Sequence, residues 1–232
     1  MAFYEKGTPD QTYTEDKRSK AGEEEQAPEN ESKQYLDFFF TLLIAVGIAL
    51  FLNFFIIVNA VIPSASMQNT IMTGDRVFGS RLAYKFSEPQ RYDIVIFRYP
   101  DDESQLFIKR VIGLPGETVI ITGGKVYIID GSEDTSGIDD EALMEDPDAY
   151  GNAELLDDSF CPETPRGGGD RDGVFRVPEG HYFVLGDNRN HSNDARFWHN
   201  SFVSEKKILG KAFLKYWPLT EISTLGYKGS QE

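Results

Sequence analysis

Two serines and one oddly placed lysine are the first residues of this chain whose types and spacing could do chemistry. The serines stand in Pro63-Ser64-Ala65-Ser66-Met67. A serine hydroxyl attacks a carbonyl when a base takes its proton. Taken alone, a Ser-x-Ser pair after proline is also ordinary turn chemistry. The lysine stands in Phe107-Ile108-Lys109-Arg110-Val111-Ile112. In a strand, Phe107, Lys109 and Val111 share one face, with Ile108, Arg110 and Ile112 on the other. An ammonium between apolar neighbours is a candidate for a depressed pKa. Near pH 7.4 only about one ordinary lysine in a thousand is neutral, a handicap of roughly 4 kcal/mol for a general base. Burial lowers a lysine pKa by up to about 3 to 5 units, enough to remove that handicap. The competing reading is an edge-strand lysine whose head reaches water. A third cluster, Gly186-Asp187-Asn188-Arg189-Asn190-His191-Ser192-Asn193-Asp194-Ala195-Arg196, follows an apolar run. It is either a turn held by Asx hydrogen bonds or the source of a hydroxyl and carboxylates for Lys109 and Arg110.

The elements that must position these residues begin with an apolar run. Residues 38–58 contain only two polar side chains, Thr41 and Asn53. As a helix the run is about 31 Å long, enough to cross a bilayer core. A buried core helix seldom stays apolar on every face, and a cleaved signal sequence has a shorter apolar region after a short basic start. We therefore expect a transmembrane helix over residues 35–58. Lys17, Arg18, Lys20 and Lys33 precede it, and Arg76 is the first basic residue after it. That asymmetry predicts a cytoplasmic N-terminus and an extracytoplasmic body. Residues 1–34, rich in Glu, Ser, Gln and Lys, read as a disordered cytoplasmic tail.

After the helix the pattern changes to short apolar or alternating runs near residues 76–78, 93–98, 106–113, 118–121 and 126–129, bounded by Gly, Pro, Asp or Asn. A second set lies near 173–177, 181–186 and 210–216. The body is expected to be mostly antiparallel β, a sandwich or partly closed barrel, over residues 59–129 and 173–220. Between the two sets, residues 130–172 hold fifteen acids against two bases and three prolines, and read as an acidic insertion or cap. Its expected state is a solvated, partly mobile loop with no direct role in chemistry. Residues 221–232 read as a C-terminal tail.

The whole chain of 232 residues carries a formal net charge of -15. Most of that charge sits in the tail and the insertion, and the rest is close to neutral. No part supplies the basic footprint that nucleic acid requires, so a nucleic-acid partner is set aside. The single cysteine, Cys161, excludes an intrachain disulfide and a cysteine-based zinc site.

Taken together, the motifs resemble those of the bacterial type I signal peptidases. The stretches that carry the resemblance are Pro63-Ser64-Ala65-Ser66-Met67, Gly74-Asp75-Arg76-Val77, Arg91-Tyr92-Asp93-Ile94-Val95-Ile96-Phe97, residues 108–116, and Gly186-Asp187-Asn188-Arg189 with Ser192, Asp194 and Arg196. Their order after a membrane helix is more specific than any one of them. The resemblance implies a membrane-bound serine endopeptidase that removes signal peptides from secreted preproteins. It implies Ser66 as nucleophile, Lys109 as general base, Ser64 as an oxyanion donor and Ser192 as the hydroxyl that orients the lysine amine. Arg110, Asp187, Asp194 and Arg196 would form supporting ion pairs, while Ile62, Met67 and Ile108 would line shallow pockets for small substrate residues. Neither metal nor cofactor is implied, and the partners are signal peptides and the lipid bilayer of the cytoplasmic membrane, crossed once. Two departures stand out: Asn69 where the family has proline, expected to loosen the loop after the nucleophile, and Asn190-His191 where Asp-Asn is commoner. A Ser-His-acid triad using His181, His191 or His199 with Asp187 or Asp194 is the rival catalytic arrangement. A membrane-tethered binding module is the rival class.

Overall fold

The computed structural model describes residues 29–150 and 152–226. A first α-helix, α1 (Glu29–Phe51), passes into a π-helical turn, Leu52–Ile56. Lys33–Ile56 makes a 24-residue span whose most apolar 18 residues have a mean hydropathy of 2.5, and its side chains from position 33 to 55 are all exposed. Such a helix is long and apolar enough to cross a membrane. The expected span of 35–58 needs correction at its end, because Ile57 and Val58 belong to the first strand. Hydropathy alone cannot separate a side chain facing lipid from one facing protein core, and Val58 faces the core at 4% exposure. Of the expected tail, residues 1–28 lie outside the described residues, and 29–34 are helical.

The strands are β1 (Ile57–Val61), β2 (Arg76–Ser80), β3 (Ile94–Tyr99), β4 (Asp102–Gly113), β5 (Thr118–Thr122), β6 (Lys125–Ile129), β7 (Glu154–Leu155), β8 (Gly173–Arg176), β9 (His181–Leu185), β10 (Val203–Ser204), β11 (Ile208–Trp217) and β12 (Ser223–Thr224). Two short helices are α2 (Ala83–Phe86) and α3 (Asp140–Glu145). The larger sheet runs β1-β2-β11-β3-β4-β9-β10 with β12 beside β11, the smaller runs β7-β6-β5-β8, and every pairing is antiparallel. The body is thus mostly β, built of two antiparallel sheets. Packing explains why β3 is apolar without a break from Ile94 to Phe97. Val95 and Phe97 pack with Val119, Ile121 and Val126 of the smaller sheet, while Ile94 and Ile96 pack with Met67, Ile71 and Val77 on the other side. A strand covered on both faces has no polar side to alternate with.

The acidic segment is more ordered than its charge predicted. Asp139 accepts from the Ala142 N–H and caps α3, Leu143 is fully buried against Ile120 and Ile129, and β7 pairs with β6. Leu156 enters the main core. A few apolar anchors decide where this segment lies, and a charge count does not register them. The expected C-terminal tail likewise begins as structure: β12 pairs with β11 and Leu225 is buried.

Candidate active site

Ser66 lies in the loop that joins β1 to β2. Two backbone bonds close the base of that loop, Ile62 N–H to Asp75 O at 3.0 Å and Gly74 N–H to Ile62 O at 2.8 Å. Within it, Ile71 N–H reaches Met67 O at 2.8 Å and Gln68 N–H reaches Ala65 O at 3.0 Å. Met67 and Ile71 are completely buried, so the segment on either side of the serine is pinned by its own apolar residues. Asn69 adopts φ +84°, a left-handed backbone that asparagine tolerates and proline, locked near φ −65°, does not. Its effect is therefore a defined turn, where the sequence suggested a looser one.

Lys109 comes from the middle of β4, opposite Val95 of β3. It is 4% exposed, so the edge-strand alternative falls. Its Nζ donates to Ser66 Oγ at 2.6 Å, and Ser64 Oγ lies 3.2 Å from Ser66 Oγ. Burial brings the lysine pKa down to about 8, against the opposing pull of the Asp194 and Asp187 carboxylates, with the Arg196 charge adding to the fall. At that value roughly one lysine in five is neutral near pH 7.4, some two hundred times the ordinary fraction. Nζ also lies 5.6 Å from the centroid of the Phe107 ring, the neighbour the strand pattern put on its face.

The two sides of β4 serve different ends. Arg110, pointing away from Lys109, is forked to Asp187 through Nε at 2.7 Å and Nη2 at 2.6 Å. Asp187 also accepts from Thr70 Oγ1 at 2.5 Å, which ties this pair to the serine loop. Asp194 accepts from Arg196 Nε at 2.8 Å and from the Gly186 N–H at 3.0 Å. Ser192 Oγ is buried close by and has no hydrogen-bond partner. Gly186 is pressed between groups of both loops: a Cβ there would collide with Ser192 Oγ and the Ser66 carbonyl oxygen. One residue that sequence reasoning missed is Asn188. Its backbone N–H donates to Ser66 O at 3.0 Å and its side-chain amide to Ala65 O at 3.2 Å. Its position beside Asp187 was visible, but only the fold brings it to a loop 122 residues earlier.

A cavity of about 510 Å³ opens beside the serine, lined by Ile62, Ser64, Ser66, Ile108 and Lys109 among others. Ile62 and Ile108 thus face it, whereas Met67 lies beneath, in the core. Ala60, Gln105, His191 and Asn193 also line the cavity and had not been singled out as lining residues. His191 Nδ1 lies 3.3 Å from Asn188 Oδ1 and His181 Nδ1 lies 2.9 Å from Glu179 O. Among the described residues no histidine is hydrogen-bonded to a serine, and no three metal-ligating side chains gather.

The comparisons with known proteins point the same way as this geometry. The family described as signal peptidase, peptidase S26, matches residues 35–217. Probable signal peptidase I-2 of Synechocystis sp. is 32% identical over 213 residues, spanning 90% of this chain and 84% of that protein. Signal peptidase I of Pseudomonas fluorescens is 34% identical over 221 residues, covering 83% of this chain and 75% of the relative. That of Aquifex aeolicus is 33% identical over 224 residues, with 77% and 81% covered. The chain belongs to the signal peptidase family, peptidase S26.

Proposed function

We propose that Ser66 is the nucleophile and Lys109 the general base with which this chain cuts its substrates. It is a signal peptidase I, a serine endopeptidase that removes signal peptides from preproteins. The observation that carries the residue assignment is the 2.6 Å approach of a buried lysine amine to Ser66 Oγ. Neutral Lys109 takes the Ser66 proton as Oγ attacks the scissile carbonyl. The oxyanion that forms is met by the Ser64 hydroxyl and the Ser66 backbone N–H, donors aimed where charge develops. The ammonium then gives its proton to the departing amine, which leaves an ester on Ser66. In the second half Lys109 takes a proton from water, the hydroxide attacks the ester, and Ser66 Oγ recovers its hydrogen. The Arg110–Asp187 and Arg196–Asp194 pairs keep both loops in register; the resemblance gives Ser192 the task of orienting the lysine amine, although its Oγ makes no hydrogen bond to Nζ in this structure.

β1 is the outer strand of its sheet, and Ala60 and Ile62 border the cavity. An extended substrate segment can pair along such an edge, and Ile62 and Ile108 would then select small side chains beside the cut. The apolar helix anchors the chain in the cytoplasmic membrane, crossing it once. The basic residues before it put the N-terminus in the cytoplasm and the β body outside. A signal peptide's own apolar segment lies in the same bilayer, so confinement raises the effective concentration of the two.

Cleavage of a model preprotein in detergent by the intact protein, Ser66→Ala and Lys109→Ala, each checked for folding, tests the assignment. Loss of cleavage in both variants is expected. Normal cutting by either would overturn it.

A further inference from the structure

The acidic segment meets the loop after β9 at two places: Asn190 is hydrogen-bonded to Glu163, Thr164 and the Arg166 N–H, and Asp158 reaches the buried Arg189. Arg189 donates to Asp158 twice, Nη2 to Oδ1 at 2.7 Å and Nη1 to Oδ2 at 2.9 Å. The arginine side chain is 2% exposed, so its charge is removed from water and met most directly by this carboxylate, with that of Asp194 farther off. Two residues further on, the Phe160 ring lies against Arg110, with the guanidinium carbon 4.3 Å from its centroid, and meets Tyr92 edge to face at 6.0 Å. Arg189 also approaches that ring, at 5.8 Å.

Both arginines lead straight to the groups that hold the serine and the lysine. Arg189 follows Asn188, whose N–H holds the Ser66 carbonyl. The carbonyl of Arg189 accepts from Arg196 Nη2 at 2.8 Å, and Arg196 in turn grips the carboxylate that anchors Gly186. Arg110 is the chain neighbour of Lys109 and is forked to Asp187. A buried guanidinium deprived of its partner must move or draw in water, because an unpaired charge is strongly unfavourable in that surrounding. Either response would shift the loop that grips Ser66.

We propose that Asp158 and Phe160, in the acidic segment, are positioning residues for catalysis: through Arg189 and Arg110 they fix the loop after β9 and so hold Ser66 against Lys109. The proposal rests on the assignment of Ser66 and Lys109 above. The lysine amine faces Asp194, Asp187 and Arg196, with the Phe107 ring beside it. None of these is replaced by a change at 158 or 160, and F160L also removes no charge, so a change in the titration of that variant reports hydration and loop placement.

The test uses the full chain in detergent, with preprotein cleavage measured across pH for D158N, D158E and F160L beside S66A, and a melting temperature for each. Misplacement of reacting groups by about 1 Å costs on the order of a hundredfold in rate. D158N and F160L are therefore expected to lower kcat about tenfold to a hundredfold while KM stays within about threefold, with D158E recovering part of the loss. The acid limb of kcat/KM should move to higher pH as a wetter lysine regains its ordinary pKa. Folded variants with unchanged kcat and an unmoved limb would overturn the proposal, as would a loss that follows melting temperature alone. Should D158N not fold, F160L decides, since it removes a ring and no charge; if neither folds, the contact is scaffold and the proposal fails. An S66A protein that still cuts would instead sink the assignment of the serine, whatever Asp158 does.

Discussion

Lys109 works against the stability of the fold that holds it. Folded, it binds its proton more weakly than it does in the unfolded chain, with a pKa of about 8 against 10.5. Below pH 8 both states carry the proton, and burying the charge costs roughly 3 kcal/mol. Between pH 8 and 10.5 the unfolded chain holds more protons, so the stability this group takes away returns as pH rises through that window. Lys109→Met should therefore abolish cleavage yet raise stability at pH 7 by roughly 2 to 3 kcal/mol in a denaturant titration. For the intact protein, kcat/KM should climb about tenfold per pH unit below 8 and level off above it, in a pH–rate profile. Asn69 makes a second residue-scale prediction. With φ at +84°, Asn69→Gly should keep activity, whereas Asn69→Pro, the residue usual in the family, should lose most of it here in the same cleavage assay. The lysine was legible in the sequence because strand alternation placed it between Phe107 and Val111. The backbone of Asn69 was not, since a dihedral angle is set by how the loop closes on Asp75.

Among the elements, β1 and the turn after β9 carry the clearest consequences. The apolar run was read to its last hydrophobic residue as membrane span, yet its final two residues are strand. Val58→Ala should lower the stability of the β body by roughly 2 kcal/mol, while Val46→Ala, in the exposed part of the helix, should leave it unchanged. Denaturant unfolding followed by tryptophan fluorescence would separate the two. Gly186→Ala should fold but cut poorly, because its methyl would strike the Ser66 carbonyl and Ser192 and push the two loops apart. Eight of the nine longer strands, all but β1, were readable from alternation and turn residues. The short β7, β10 and β12 were not, since two residues carry no period and exist only because a long strand offers them an edge.

For the molecule as a whole, two antiparallel sheets share a core, and most of the net charge lies in one segment docked at their side. Its ion pairs differ in worth. Arg176 and Asp140 are 34% and 54% exposed, so breaking that pair should cost under about 1 kcal/mol, whereas losing Arg189, buried with Asp158, should cost several times as much in the same titration. High salt should weaken the first pair and leave the second largely intact. One feature of that segment gives the molecule a gauge of its own state. Cys161, the sole cysteine, lies three residues beyond Asp158 with its N–H on the Asp158 carbonyl at 2.8 Å, and burial pushes its thiol up to about 12. A seated thiol of that kind is almost wholly protonated at neutral pH and reacts sluggishly with an alkylating reagent. Were the segment to lift, the thiol would become fully exposed and reactive, so the rate at which Cys161 is alkylated in the unaltered chain would report whether the acidic segment comes away.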